Sequence, residues 1–445
     1  MPVATESLTD LIRDAAHRLE GEKSDYDPLL EMIGDARFVL LGEATHGTHE
    51  FYRERAQITK RLIKEKGFTA VAVEADWPDA YRVNQFVRGL GTDQDGEEAL
   101  SGFKRFPTWM WRNADVLDFV GWLREHNQRI KNGAEKTGFY GLDLYSLNIS
   151  IECVLTYLKK TDPEEARRAR ARYSCFEHFG MDPQSYASAS LTGQSCEEEV
   201  IRQLIELRRR APEYTSRDGA AAVDDYFFAE QNARLVKNAE QYYRSMYYGR
   251  ASSWNLRDTH MVETLDALVK HLSKTSRGDK VVIWEHNSHL GDARATQMSE
   301  IGELNVGQLL REKFGNAAVL VGFTTFSGTV TAASEWEEPG QRKQVLEALP
   351  ESYEYLFHDV GHERFYLNLR DNLRVKEALT EPRLERAIGV IYSPQTERAS
   401  HYFEAHLAQQ FDAVLHFDET RAVEPLEQSA LWKSGEVPET FPFSV

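Results

Sequence analysis

The sequence predicts an α/β fold: a mainly parallel sheet whose order is interrupted by a helical insertion. Three observations carry that prediction. A short apolar run, an amphipathic stretch and a second apolar run follow one another across residues 37–74, the order of a βαβ unit. Residues 146–278 are almost wholly helical in pattern and rich in charge. Short apolar runs bounded by turn residues then return after residue 280. With no internal repeat, low-complexity tract or linker, the 445 residues read as one domain, 1–445, with the insertion at 146–278 inside it.

Composition narrows the function classes. Apolar and charged contents of 41% and 28% are those of an ordinary globular chain. The 71 acidic residues outnumber the 53 basic ones for a net charge of −18, which argues against nucleic acid or an anionic membrane as the main partner. No stretch approaches the ~20 apolar residues of a membrane span. The N-terminus lacks the basic start and apolar block of a secretory signal. Cys153, Cys175 and Cys196 are odd in number and widely spaced, so neither a disulfide framework nor a zinc knuckle is expected. Together these features predict a reducing, cytoplasmic setting.

Taken in order, Leu8, Leu11, Ile12, Ala15 and Leu19 follow a helical period behind a capping Ser7. Residues 37–42 predict a strand and 48–66 a helix, with Gly67 as its C-terminal cap. Residues 68–74 predict a second strand, closing on Glu74. If the two strands are direct neighbours, ~4.8 Å apart, Glu43 and Glu74 sit side by side at one sheet edge. The intervening helix buries Phe51, Ile58 and Leu62 and wets Glu50, Glu54, Gln57, Arg61 and Lys64. Arg55 falls on the buried stripe, where a guanidinium is costly unless paired. Glu43 and Glu74 are the candidate partners.

Helices follow at 77–90 and 114–131, separated by the aromatic stretch FKRFPTWMWRN (103–113), and residues 137–142 predict a strand ending at Asp143. The insertion reads as helices at 150–160, 163–178, 195–210, 222–248 and 253–273. Strands are expected at 281–285, 317–323, 328–333, 364–369, 387–392 and 412–417, and helices at 303–313, 341–348 and 397–410.

The strand ends concentrate the chemistry. Glu43, Glu74, Asp143 and Glu285-His286 each close an apolar run, and His46 and His289 lie three residues beyond two of these ends. In a parallel sheet such ends converge on one crevice. Any one of these residues can equally well start a loop; the set across four strands points to a site. His49 and Glu50 are placed on the exposed helix face, and Asp143 serves as readily as a cap. There is no G-x-S-x-G elbow, H-E-x-x-H, Walker loop or G-x-G-x-x-G, which weakens serine hydrolase, zinc peptidase, kinase and dinucleotide enzyme alike. What remains is a histidine oriented by carboxylates that takes a proton from water, with arginine and further imidazoles stabilising an oxyanion. The same residues suit a divalent metal, and spacing does not decide between the two. Phe103, Phe106, Trp109 and Trp111 suit a wall against a bulky ligand, with Arg105 and Arg112 as polar contacts, although tryptophans equally pack cores. Asp143 and Tyr145 complete the candidate binding set. Tyr242, Tyr243, Tyr247 and Tyr248 either line the far side or pack between helices.

The run GEATHGTHEF, the strand ending at Glu74, FPTWMW, and HNSH after VVIWE together resemble the erythromycin esterase family, itself related to ChaN-like proteins. The resemblance runs from about residue 35 to the last strands, and the C-terminal region is similar to the family's uncharacterised branch. It implies a central sheet with helices on both faces, an insertion over a deep cleft, and hydrolysis of a lactone or other ester by histidine-activated water. On the matching positions it implies His46 as general base, with Glu43, Arg55, Glu74, His286 and His289 as the other polar residues of the cleft. The expected partner is a small-molecule ester and no cofactor is expected, with a divalent metal as the alternative. A metal-dependent hydrolase of another bond and a binding protein that kept the cleft are the competing readings.

Overall fold

A computed structural model describes residues 7–179, 183–193, 195–216, 220–274 and 278–434. Its centre is a mixed, mostly parallel sheet. The strands in chain order are β1 (His17–Arg18), β2 (Phe38–Leu41), β3 (Ala70–Asp76), β4 (Gly138–Asp143), β5 (Val281–Trp284), β6 (Ala318–Ala332), β7 (Gln341–Val345), β8 (Arg364–Asn368), β9 (Arg383–Arg386), β10 (Tyr402–Ala405) and β11 (Ala413–Thr420). In space the sheet runs β1-β8-β11-β6-β2-β5-β3-β4, with β7 paired to β6, while β9 and β10 form a separate ribbon. From β11 to β4 every neighbouring pair is parallel; β8 and β7 join antiparallel.

β2, β3 and β5 are buried on both faces, so they read as unbroken apolar runs rather than alternating ones. Phe38 and Leu40 face one apolar core with the insertion helices, and Val39 and Leu41 face the other with the helix His49–Lys66. That helix ends at Gly67, whose φ of +70° supplies the left-handed cap the sequence predicts.

The structure corrects several expectations. β2 and β3 are not neighbours: β5 lies between them, in register with Leu41 on one side and Val73 on the other. Contacts distant in sequence choose that order, so the local pattern could not. Glu74 falls where the β3–β4 register shifts, between Val73 and Asp76, and the strand runs on to Asp76. The N-terminal helix, capped by Ser7, stops at Ala15, and His17–Arg18 pairs with β8. Residues 317–323 and 328–333 belong to one long strand, β6. The expected helix 341–348 is β7, a polar edge strand that lacks the apolar alternation of a half-buried one. The strand expected at 387–392 is irregular, touching Thr45 and Ala333 through single bridges, with β9 just before it. The helix expected at 397–410 breaks into Glu397–Ser400, β10 and Leu407–Gln410. Glu54, assigned to the wet face, is buried and accepts a hydrogen bond from Tyr26 at 2.5 Å. Cys175 and Cys196 are joined as a disulfide with Cα atoms 5.9 Å apart, which removes the cysteine argument for a reducing compartment.

Between β4 and β5 the described residues form helices only, including Leu147–Thr161, Glu197–Arg209, Ala220–Ser245 and Arg250–Lys274. No helix among the described residues is long and apolar enough to cross a membrane.

Candidate active site

The carboxyl ends of β2, β5 and β3 open into a cavity of about 470 Å³. His46, Glu74, Asp143, His286 and His289 line it. Glu43 and Arg55 stand behind His46, outside the lining.

The turn after β2 is held by its two glycines. A Cβ on Gly42 would lie 2.1 Å from Asn287 Oδ1, and one on Gly47 would lie 1.9 Å from the Thr331 carbonyl oxygen. Only glycine permits both approaches. Thus fixed, the turn places His46 Nδ1 2.9 Å from Glu43 Oε1. Arg55 Nη2 donates to the other oxygen, Glu43 Oε2, at 2.6 Å, and the Arg55 side chain is fully buried. Its guanidinium also lies over the Tyr52 ring at 4.4 Å and the Trp284 ring at 5.2 Å. Tyr52 donates to the His46 carbonyl at 2.9 Å, closing the frame around the turn.

Glu74 faces this group from β3. Its Oε2 accepts the His286 backbone N–H at 2.9 Å and its Oε1 accepts Arg257 Nη2 at 2.7 Å. Burial opposes ionisation, but His289, Arg257 and His46 hold the carboxyl well below the usual range. The His286 ring lies 4.8 Å from the His46 ring. Its Nδ1 accepts from the Ser288 N–H at 3.2 Å and lies 2.8 Å from Ser288 Oγ; with Nδ1 accepting, the proton sits on Nε2, a buried atom without a hydrogen-bond partner among the described residues. Burial, reinforced by His46, pushes the His286 pKa down to about 3, so the ring is neutral.

His289 is gripped from both sides. Its Nδ1 lies 2.9 Å from Asp258 Oδ1, and Arg257 Nη1 donates to its Nε2 at 2.8 Å. Trp254 stacks on the ring at 4.4 Å. Burial lowers the His289 pKa, yet Asp258 and Glu74 outweigh that and raise it. Arg257 also donates to Asp143 through Nε at 3.0 Å and Nη2 at 2.8 Å. Trp254, Arg257 and Asp258 lie within two turns of the insertion helix Arg250–Lys274. The sequence reading missed all three. Their only signal is a charged pair inside an amphipathic helix, and many surface helices carry the same.

Other predicted residues divide. Phe106, Trp111 and Tyr145 line the cavity. Trp109 does not: it is buried behind Phe106, its ring 5.5 Å away. Arg105 lines the wall and donates to Asp76 at 2.9 Å, whereas Arg112 turns to Glu427 at 3.0 Å. Tyr242 and Tyr243 meet Tyr145 from behind at 3.2 Å and 3.4 Å, and the Tyr248 side chain lies outside the described residues. His49, expected on an exposed face, is half-buried with its Nδ1 2.8 Å from Asp115. Glu285 is fully buried, neither oxygen has a hydrogen-bond partner among the described residues, and burial with Glu74 and Asp258 holds its pKa well above the ordinary value. No group of three or more His, Cys, Asp or Glu among the described residues is disposed to hold a metal ion.

The chain is similar to known proteins. The sequence profile described as Erythromycin esterase matches residues 63–420, beginning after the Glu43–His46 turn and Arg55. The chain is 24% identical over 323 residues to erythromycin esterase type II of Escherichia coli, covering 69% of this chain and 73% of that one. It is 20% identical over 327 residues to the putative hydrolase YbfO of Bacillus subtilis (strain 168), covering 69% of each. Two solved structures share the fold. One is a succinoglycan biosynthesis protein, with TM-score 0.76, 21% identity, and coverage of 95% of this chain and 99% of that one. The other is an erythromycin esterase mutant, EreC, in its open conformation, with TM-score 0.67, 17% identity, and coverage of 92% and 96%.

Proposed function

The chain belongs to the erythromycin esterase family and is a hydrolase, and from that premise we propose that it cleaves a small-molecule carboxylic ester or lactone with water activated by His46. One observation carries this reading. The His46 imidazole lines the cavity while its Nδ1 is held 2.9 Å from a carboxylate that Arg55 in turn fixes. A carboxylate on Nδ1 sets the tautomer with Nε2 free to accept a proton and stabilises the imidazolium that follows.

In this mechanism His46 Nε2 takes a proton from water as the oxygen attacks the carbonyl carbon. The carbonyl π electrons move onto its oxygen, giving a tetrahedral oxyanion. The Nε2–H of neutral His286 and the Arg257 charge stabilise that oxygen. Collapse re-forms the carbonyl and breaks the bond to the leaving oxygen, which takes the proton back from His46. The products are a carboxylic acid and an alcohol, joined in one molecule when the substrate is a lactone. Glu43 and Arg55 are positioning residues here, because they act through His46. Glu74 orders the two halves of the site by holding the His286 backbone and Arg257 together. No metal has a part in this scheme.

The apolar wall of Phe106, Trp111 and Met298, with Ile301 and Trp336 exposed at its edge, favours a bulky acyl or alkyl group over a small one. The test is hydrolysis of an ester and macrolide panel by the wild type and His46→Asn. Turnover by the wild type that collapses in the variant supports the reading. Equal rates in both, or no ester turned over, refutes it.

A further inference from the structure

The cavity has a second pole that the proposed hydrolysis leaves unused. Asp76 and Asp79, at the start of the helix Trp77–Arg88, both line it and are 6% and 7% exposed. Two guanidiniums share that lining, and both are committed. Arg257 is taken by Asp143 and Glu74. Arg105 donates to Asp76 Oδ2 at 2.9 Å. Arg82, on the same helix as Asp79, forms a two-bond pair with Asp93 at 2.9 Å and 2.7 Å. Among the described residues Asp79 therefore has neither a hydrogen bond nor an ion pair, and Asp76 Oδ1 is buried without a hydrogen-bond partner.

An unpaired carboxylate largely withdrawn from water is costly, and a protein commonly satisfies one with a counter-charge. Burial, with Asp76 next, pushes Asp79 up to about 7. The same lining carries Phe103, Trp111, Tyr145, Trp254 and Trp336. Aromatic faces beside buried carboxylates make a receptor for an organic ammonium group. A metal ion is a poorer fit, because no suitable group of three ligands is present among the described residues.

We propose that the Asp76–Asp79 pole is a cation subsite, and that the ester cleaved at His46 carries an alkylammonium group seated between these carboxylates and the aromatic wall. The inference rests on the hydrolase reading for its chemistry, but the subsite has its own readout. Two probes separate the questions. The first compares 2-(dimethylamino)ethyl benzoate with its uncharged isostere, 3-methylbutyl benzoate. The wild type should favour the cation by about tenfold or more in kcat/KM, mainly through KM, as a partly desolvated cation–aromatic contact gives. Asp79→Asn should shrink that ratio toward one.

The second probe is benzyltrimethylammonium against benzyl alcohol, followed by tryptophan fluorescence. Ammonium binding weakened by Asp79→Asn, with benzyl alcohol binding no more tightly than in the variant, supports the subsite even if neither ester is hydrolysed; only the hydrolase reading then fails. A wild-type preference at or below one together with no ammonium binding overturns the subsite. So does a preference that Asp79→Asn leaves intact.

Discussion

Arg257 Nη1 donates to His289 Nε2 at 2.8 Å while Asp258, its neighbour on the same helix, holds His289 Nδ1 at 2.9 Å. The helical insertion thus reaches into the sheet edge and clamps both nitrogens of one imidazole. A proton on Nε2 and the hydrogen bond from Arg257 exclude each other, because an arginine N–H only donates. While that hydrogen bond holds, the ring is neutral with its proton on Nδ1; the protonation that Asp258 and Glu74 favour requires Arg257 to release Nε2, and ¹⁵N chemical shifts of the ring across pH follow that exchange. Arg257→Met should lower kcat/KM by about 10²-fold, the scale of one lost electrostatic stabiliser. A loss of less than twofold would show that the insertion only covers the cleft.

Arg55 and Glu43 form a pair sealed from water. Removing one partner strands the other, so Arg55→Met should cost about 3–5 kcal/mol of stability by urea denaturation. Combining it with Glu43→Gln should recover part of that loss. Strict additivity in the double variant would contradict the pairing.

Glu285 gives a pH-dependent prediction. Its pKa in the folded chain stands well above the ordinary 4.5, so the native state keeps a proton that the unfolded state releases. Stability from this group is therefore complete below the unfolded pKa and is lost as pH rises toward the folded one. Glu285→Gln carries no titrating proton. Relative to wild type it should be neutral near pH 4 and gain stability as pH rises above that, by no more than about 1.4 kcal/mol per pH unit. Denaturant midpoints at pH 5 and pH 8 measure the effect, and an equal difference at both would refute it.

Much of this site was legible in the sequence. The turn after Leu41 announced itself because an apolar run stopped at a glycine and presented Glu43 and His46 within four residues. Arg55 was legible because a charge on an apolar helical stripe demands a partner, and Glu43 is that partner. The order of strands was not, because β5 enters between β2 and β3 from more than two hundred residues away. Arg257 and Asp258 were hidden in a charge-rich helix, where periodicity does not say which charged face turns inward. The polar strand β7 and the buried Glu54 failed for a related reason: edge pairing and a single tyrosine partner override the hydrophobic pattern.

The aromatic stretch separates binding from packing. Phe106→Ala, at the cavity wall, should raise KM for bulky esters with kcat changed less than twofold. Trp109→Ala should instead cost stability, about 3–5 kcal/mol for a core tryptophan, because its ring is buried away from the cavity. A KM effect confined to Trp109→Ala would reverse the two assignments.

Metal dependence is decided by chelation. Exhaustive dialysis against a chelator should leave kcat/KM for an ester unchanged, and elemental analysis should find no stoichiometric divalent ion. Activity lost on chelation and restored by one divalent metal would move the water activation from His46 to that ion.

The central claim is that His46 removes the proton from water, and its most direct test is the single-turnover rate of ester hydrolysis by His46→Asn. The variant should fold with wild-type stability, bind ester with a similar KM and lose about 10²–10⁴-fold in the chemical step. A His46→Asn enzyme that keeps the wild-type rate would contradict the account.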